Sequence, residues 1–190
     1  MTVPADGGPV LLGLARGAIA RRLSLPAPAV DAGGAWLAEP APTFVTLTCA
    51  GRLRGCVGSL TAVRPLREDV TANARNAAFH DPRFAPVRAD EVDALRIEVS
   101  LLGPHQPLPA SSREDALARL RPGVDGLVLA WRDRRATFLP QVWGQLPDPD
   151  AFLRHLALKA GLPADFWDAD VRLAVYSVTS WEEDGDEARP

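Results

Sequence analysis

The sequence predicts an α+β domain whose sheet is mainly antiparallel and is flanked by helices. Three observations indicate the class. Strand-like and helix-like runs alternate irregularly, several strand-like runs are joined by turns short enough for hairpins, and neither internal repeats nor an interdomain linker are visible. With 190 residues, of which 47% are hydrophobic, the chain is long enough to bury a substantial core.

Four runs have the spacing and end signals of helices, and one shorter run is also expected to be helical. Apolar side chains recur at helical intervals, and proline, serine or aspartate stands at several of the predicted starts. Glycine closes the last helix. The predicted ranges are Pro9 to Leu23, Pro65 to Phe79, Ser111 to Leu120, Asp148 to Gly161 and, for the short piece, Ala89 to Leu95.

The strand-like runs are rich in β-branched and aromatic residues and alternate between apolar and polar side chains. One pair, closed around Asp133-Arg134, predicts a hairpin. The predicted strands are Thr43 to Cys49, Leu53 to Val57, Arg96 to Leu102, Gly126 to Trp131, Arg135 to Leu139 and Val171 to Thr179.

The first predicted hairpin has two alternative registers. A two-residue loop pairs Cys49 with Arg52, whereas a three-residue loop pairs Cys49 with Leu53 and Val45 with Val57. A slip of one residue moves every side chain to the other face of a strand. We favour the three-residue loop, because only that register keeps the arginines out of the core.

The favoured register places the two cysteines on opposite faces of the sheet. Arg54 and Cys56 then share the face of the threonines, and Cys49 lies on the apolar face. Side chains on opposite faces cannot form a disulfide. A bulge at Gly55 would change this assignment.

Composition excludes several classes of protein. The net charge of −3 gives no general attraction to nucleic acid or to an anionic membrane. No window approaches the roughly 20 apolar residues of a membrane helix, and the first residues lack the basic start of a signal peptide. Two cysteines are too few for a disulfide-stapled secreted domain. We therefore expect a cytoplasmic protein without membrane or nucleic-acid partners.

Established catalytic and binding motifs are absent from the sequence. The glycines around Cys56 do not match a dinucleotide fingerprint, and there is no phosphate-binding loop or nucleophile elbow. The three histidines, His80, His105 and His155, lack the spacing of a zinc site. The residues therefore indicate no metal site and no particular cofactor.

Cys56 is the candidate catalytic residue. A thiolate beside Arg54, in a backbone opened by Gly55 and Gly58, would be electrostatically stabilised and accessible. His80 could serve as its base, or could simply place a favourable charge at a helix end. A cysteine between glycines is equally consistent with a small residue that fits, or with part of a ligand or partner site, and these interpretations stay open.

Four further residues are candidates for ligand binding. Asp81 and Arg83 flank a proline and either pair across the turn or line a cleft. Thr137 and Gln141 lie where a predicted strand ends, and either bind a ligand or belong only to the turn.

The stretch Leu53-Arg-Gly-Cys-Val-Gly58 resembles the signature of the AMMECR domain family. Resemblance extends from about Leu11 to Glu183, so the implied unit is a single AMMECR-type domain over residues 9–184, with residues 1–8 and 185–190 as flexible tails. Further blocks resemble the family in the expected order, namely Pro65 to Val70, Asp81 to Phe84, Glu98 to Leu101, Gly123 to Gly126 and Ala136 to Trp143.

The resemblance implies an α+β fold with a larger and a smaller lobe, a site and a context, but no reaction. By residue match it points to Arg54, Gly55, Cys56 and Gly58. Prokaryotic members of the family resemble one component of the AmmeMemoRadiSam system, which implies a Memo-like protein and a radical S-adenosylmethionine protein as partners. Our first hypothesis is a binding or accessory component of that system. The alternative is a cysteine-dependent enzyme that uses Cys56 in a cleft.

Overall fold

A computed structural model describes residues 3–31 and 33–183 and confirms the α+β class. Its α-helices span Gly7–Arg22 (α1), Leu66–Phe79 (α2), Arg113–Arg119 (α3) and Pro149–Lys159 (α4). Three 3₁₀ turns span Ala35–Ala38, Ala89–Ala94 and Pro140–Gly144. The four α-helices and the turn at Ala89–Ala94 follow the predicted helical runs closely, whereas the other two 3₁₀ turns were not predicted as helical.

The strands form two antiparallel sheets of four strands each, in the orders β2-β1-β3-β8 and β4-β7-β5-β6. The chain divides into two compact units, the larger extending to Leu102 and resuming at Thr179, the smaller spanning Gly103–Val178. The strands are Thr43–Cys49 (β1), Arg52–Gly58 (β2), Leu95–Leu102 (β3), Gln106–Pro107 (β4), Gly126–Trp131 (β5), Arg134–Phe138 (β6), Arg172–Tyr176 (β7) and Val178–Glu182 (β8).

The prediction of one final strand from Val171 to Thr179 is wrong. Strand β7 ends at Tyr176, β8 begins at Val178, and the two belong to different sheets. At the break, the Gly103 amide donates a hydrogen bond of 2.9 Å to the Ser177 carbonyl. The chain therefore leaves the first sheet and returns to it at neighbouring points. The alternation of apolar residues along the sequence does not reveal this break.

The turn between β5 and β6 also differs by one residue from the prediction. Trp131 pairs with Arg134, so the loop is Arg132-Asp133 rather than Asp133-Arg134. Arg132 adopts a φ of 53°, which a two-residue hairpin loop requires. Turn geometry sets the position of the loop, and the alternation of apolar and polar residues in the flanking strands does not determine it.

Helix α1 begins at Gly7, two residues before the predicted start. Gly7 and Gly8 are buried, and a Cβ atom at Gly8 would lie 2.3 Å from the Trp181 ring. The absence of side chains therefore lets the helix start pack against β8. Of the predicted tails, residues 1–2 and 185–190 lie outside the described residues.

The core of the larger unit lies between its sheet and helices α1 and α2. Val45 and Leu47 of β1 and Ile97 and Val99 of β3 are fully buried on one face. Each such side chain contributes about 1.5–3 kcal/mol on burial. The facing side of α2 is mostly small, with Val70, Ala74, Ala77 and Ala78.

A buried carboxylate attaches the start of α2 to the sheet. Asp69 is 1% exposed and accepts five hydrogen bonds of 2.7 to 2.9 Å. The donors are the amide and hydroxyl of Thr43, the Asn73 amide, the Ser59 hydroxyl and the Arg64 guanidinium. These donors replace the water that a buried charge loses.

The smaller unit has its own core, formed where α3 and α4 pack on one face of the second sheet. Leu127 and Leu129 of β5 and Phe152 of α4 are buried there. The Trp143 ring stacks on Phe152 with centroids 3.7 Å apart. Aromatic packing of this kind accounts for much of the burial in a small core.

Tyr176 and Thr137 form a buried hydroxyl pair in the smaller unit. Their oxygens lie 2.7 Å apart, within hydrogen-bond distance. The Leu127 carbonyl oxygen lies 2.9 Å from the Thr137 hydroxyl, and the Phe138 carbonyl oxygen lies 3.1 Å from the Tyr176 hydroxyl. Burial raises the pKa of Tyr176 to about 12, and the contact with Thr137 acts in the opposite direction. Thr137 thus has a structural role within the second sheet.

We expect Asp69→Asn to lower the free energy of unfolding by roughly 2–4 kcal/mol, because the amide cannot accept the full set of donors around the buried site. Urea denaturation measures the change. Glu68→Gln is the matched control, since Glu68 is an exposed acid in the same helical turn, and should stay within about 0.5 kcal/mol of the parent. Equal effects of the two substitutions would contradict the assigned role of Asp69.

Tyr176 is the chain's single tyrosine, so tyrosinate absorbance reports on this residue alone. We expect a titration midpoint of about 12 in the folded protein and about 10 in denaturant. Because folding raises this pKa, the associated stability is complete below about pH 10 and is lost as the pH rises through about 12. A native midpoint near 10 would refute the buried hydroxyl pair.

Candidate functional site

The hairpin of β1 and β2 combines both registers that the sequence left open. Cys49 pairs with Arg52 around a two-residue loop, Ala50-Gly51, whose φ angles are 48° and 71°. The predicted three-residue loop is therefore wrong. Further along, Val45 pairs with Val57, as that same prediction required.

A β-bulge at Arg54 reconciles the tight loop with the apolar register. Thr48 pairs with Leu53 and Leu47 pairs with Gly55, which leaves Arg54 as the extra residue. The insertion restores apolar pairing beyond the loop and keeps the arginine out of the core.

The cysteines lie on opposite faces, as predicted. Cys56 pairs directly with Thr46, on the face of the sheet away from the helices, whereas Cys49 packs against the core. Both cysteines are free thiols.

The two glycines of the signature have packing roles. A Cβ atom at Gly55 would lie 2.2 Å from the Ala77 carbonyl oxygen of α2, a contact that no side chain can make. At Gly58, the space is filled by the Phe44 ring from the neighbouring strand. Neither glycine needs a ligand to explain it.

The Arg54 guanidinium binds the segment that follows α2. Its Nε and Nη2 lie 3.0 and 3.2 Å from the Glu91 carboxylate, and its Nη1 donates to the Ala85 carbonyl at 2.8 Å. Arg54 also holds the pKa of Glu91 below its usual range. Each described contact of Arg54 is thus with this segment, which makes it an anchor of the fold.

Asp81 and Arg83 pair with each other and together hold the backbone of Cys56. The Asp81 carboxylate, with a side chain 3% exposed, accepts from the Cys56 amide at 2.9 Å and from the Arg83 Nε and Nη2 at 2.9 and 2.6 Å. The Arg83 Nη2 also donates to the Cys56 carbonyl at 3.3 Å. We call this arrangement the Asp81–Arg83 clamp.

The clamp closes the exposed edge of a sheet. Strand β2 is an edge strand, and the amide and carbonyl of Cys56 point away from β1. Unpaired groups at such an edge are open to pairing with another chain. The clamp occupies them and fixes the position of the cysteine.

The electrostatics of the clamp keep Asp81 ionised. Hydrogen bonding from Arg83 is the main reason that the pKa of Asp81 lies well below its usual range, and the Cys56 amide adds to the effect against the opposing influence of burial. The pKa of Arg83 is raised mainly by Asp81, with a smaller contribution from the negative form of Cys56. A cation that a thiolate stabilises must stabilise that thiolate in turn.

A row of polar side chains extends from Cys56 across the same face. The Thr46 hydroxyl donates to the Cys56 sulfur at 3.4 Å, and Thr46 pairs with Glu98 on its other side. The Ser100 hydroxyl lies 2.8 Å from the Glu98 carboxylate and 3.0 Å from the Ser180 hydroxyl. We call these five residues the polar row.

Four members of the polar row were not among the predicted site residues, namely Thr46, Glu98, Ser100 and Ser180. The alternation of Thr43 to Cys49 and of Arg96 to Leu102 already separates apolar from polar faces in each strand. Only the pairing of the two strands, with Thr46 opposite Glu98, brings the polar faces together.

Two predicted ligand residues belong to the smaller unit. The Thr137 hydroxyl is engaged by Leu127 and Tyr176, and Gln141 is exposed in the Pro140–Gly144 turn. Their part in ligand binding stays a prediction.

The arrangement around Cys56 suits the recognition of a polar or electrophilic group. Its thiol is half-buried and its backbone is fixed, while the Arg83 side chain is 53% exposed and can meet an incoming anion. Within residues 3–31 and 33–183, no group of three or more His, Cys, Asp and Glu side chains is placed to hold a metal ion. No described helix is long and apolar enough to cross a membrane.

Comparison with known proteins shows which proteins this chain resembles. A family model described as AMMECR1 matches residues 12–181. A protein of Methanothermobacter thermautotrophicus is 42% identical over 146 residues, which is 75% of either chain. Protein MJ0810 of Methanocaldococcus jannaschii is 37% identical, over 69% of this chain and 66% of its own.

A solved structure shares the fold. The crystal structure of an uncharacterized protein, PH0010 from Pyrococcus horikoshii, matches with a TM-score of 0.87 and 33% identity, over 95% of this chain and 93% of that one. Together with the match to the family model over nearly the whole sequence, this similarity shows that the chain belongs to the AMMECR1 family.

Proposed function

We propose that this chain is a binding or accessory component of the AmmeMemoRadiSam system, working with a Memo-like protein and a radical S-adenosylmethionine protein. Membership of the AMMECR1 family supports the context, since the resemblance noted in the sequence relates prokaryotic members of this family to that component. The observation that carries the proposal is the Asp81–Arg83 clamp, which presents the Cys56 side chain on a fixed backbone.

Most of the signature around Cys56 serves the fold. Arg54 anchors the Glu91 segment, Gly55 admits helix α2, and Gly58 lies under the Phe44 ring. These packing roles do not account for the thiol of Cys56. A side chain held in place by buried neighbours is what a recognition surface requires.

The state of Asp81 favours binding over catalysis. A general base works best with a pKa near the operating pH. The pKa of Asp81 is held far below that range, and both of its oxygens already accept hydrogen bonds from Arg83. Asp81 is therefore a positioning group for Cys56.

We expect the immobilised protein to retain the Memo-like protein or the radical enzyme of the same organism, and Cys56→Ala and Arg83→Gln to weaken that binding about tenfold or more. A lost hydrogen bond to a charged group has an effect of this size. Surface plasmon resonance measures the dissociation constants, and thermal unfolding midpoints verify that each variant is folded.

Cys49→Ser is the matched control, because it removes the other thiol from the opposite face of the same hairpin. It should bind as the parent does. Absence of any association under every nucleotide and reductant condition, or equal binding by all variants, would overturn the proposal.

A cysteine-dependent enzyme remains the alternative, favoured by the Thr46 hydroxyl on the Cys56 sulfur and by the mutual stabilisation of Arg83 and the thiolate. It predicts that, in a Cys49→Ser background, iodoacetamide alkylates Cys56 with a midpoint below about pH 8.5, the ordinary value for cysteine. Arg83→Gln should then move the midpoint upward. Reaction only above about pH 8.5 would exclude the activated nucleophile.

A further inference from the structure

We propose that the smaller unit binds a small organic anion with an apolar body, in a cavity on the face of the second sheet opposite α3 and α4. The cavity has a volume of about 510 Å³. Pockets for small ligands commonly measure about 300–1,000 Å³. Every residue that lines it belongs to the smaller unit, so this site is independent of Cys56.

The floor of the cavity consists of small apolar side chains. Val128 and Ala130 of β5 and Ala174 of β7 lie on this face, because they alternate with the core residues of the same strands. A rim formed by Pro107 to Ala110 is held to β7 by a hydrogen bond of 2.9 Å from the Leu108 amide to the Leu173 carbonyl. The floor suits the apolar part of a ligand.

Two arginines stand on either side of this floor. Ala130 pairs with Arg135 on β6 and with Arg172 on β7, so both cations emerge on the same face, about 10 Å apart at Cα, the width of two strand spacings. Neither forms an ion pair within the part of the chain that the structure describes, whereas the guanidinium groups of Arg16 and Arg54 are matched with carboxylates. The cavity is therefore flanked by unmatched positive charge.

A half-buried imidazole completes the polar lining. The His105 Nε2 is inaccessible to solvent and has no hydrogen-bond partner among the described residues, and its ring lies 5.1 Å from that of Tyr176. Burial, followed by the charge of Arg135, lowers the pKa of His105, which keeps the ring neutral near neutral pH. A neutral imidazole can exchange one hydrogen bond with a ligand without adding charge.

These features define the occupant by its chemistry. The arginines match a carboxylate or phosphate head group, and Val128, Ala130 and Ala174 match an apolar body. A neutral apolar molecule would leave both cations without a partner. A compact polyanion would leave the apolar floor uncovered.

Anilinonaphthalene sulfonate, which joins a sulfonate to an apolar ring system, is a direct probe, and neutral N-phenylnaphthylamine is its uncharged counterpart. We expect the sulfonate to bind more tightly to the parent protein, measured by fluorescence titration. The double variant Arg135→Gln, Arg172→Gln should raise the dissociation constant of the sulfonate about tenfold or more and leave that of the neutral probe within about twofold.

Arg154→Gln on α4 is the matched control, because Arg154 is exposed and pairs with Asp165 at 3.0 Å on the helical side of the unit. It should leave both dissociation constants unchanged. Equal affinity of the parent for the two probes, or an unchanged sulfonate affinity in the double variant, would overturn the proposal.

The Ala130→Leu variant places a larger side chain on the floor of the cavity and should weaken the binding of both probes. Its thermal unfolding midpoint verifies that the variant is folded. Octanoate and octyl phosphate then serve as competitors that distinguish the head group. Displacement of the sulfonate probe by either one supports the site, and the tighter competitor identifies the head group. Failure of both to displace it would contradict the site.

Discussion

The close approach of α2 to β2 is the constraint on which the larger unit depends. No Cβ atom fits at Gly55, because the Ala77 carbonyl of the helix occupies that space. Buried carboxylates fix the helix at both ends, with Asp69 in its first turn and Asp81 just beyond its last residue. Helix packing, edge protection and the position of Cys56 thus arise from one arrangement. A substitution that alters one of these three features should therefore alter the other two.

The elements were predictable where local signals decide them. Strand β1 and helix α2 lie within a residue of their predicted bounds, because alternation, a leading proline and first-turn acids specify them. The bulge at Arg54 and the break at Ser177 were not predictable in this way. Both depend on pairing between distant strands, and the apolar alternation runs through each of them without a visible change.

The site was predictable to the same extent. Cys56, Asp81 and Arg83 carried recognisable signals and do converge, although the carboxylate holds the backbone rather than the thiol. Glu98 and Thr46 join them only through the register of three strands. A cross-strand neighbour leaves no trace in either strand alone, and this is why the sequence indicated the cysteine but not the polar row around it.

The order of strands in the first sheet has a consequence for synthesis and folding. Strands β3 and β8 are neighbours, yet residues 103–177, which are nearly all of the smaller unit, lie between them in the chain. The sheet therefore stays incomplete until the whole smaller unit has been made, and a pairing of such long sequence separation is slow to form. The Arg16 guanidinium secures the closed sheet, because its Nε lies 2.6 Å from the Glu183 carboxylate. This ion pair joins the first helix to the segment after the last strand. During translation, the edge of β3 that β8 later covers stays open while the inserted unit emerges and acquires its own core.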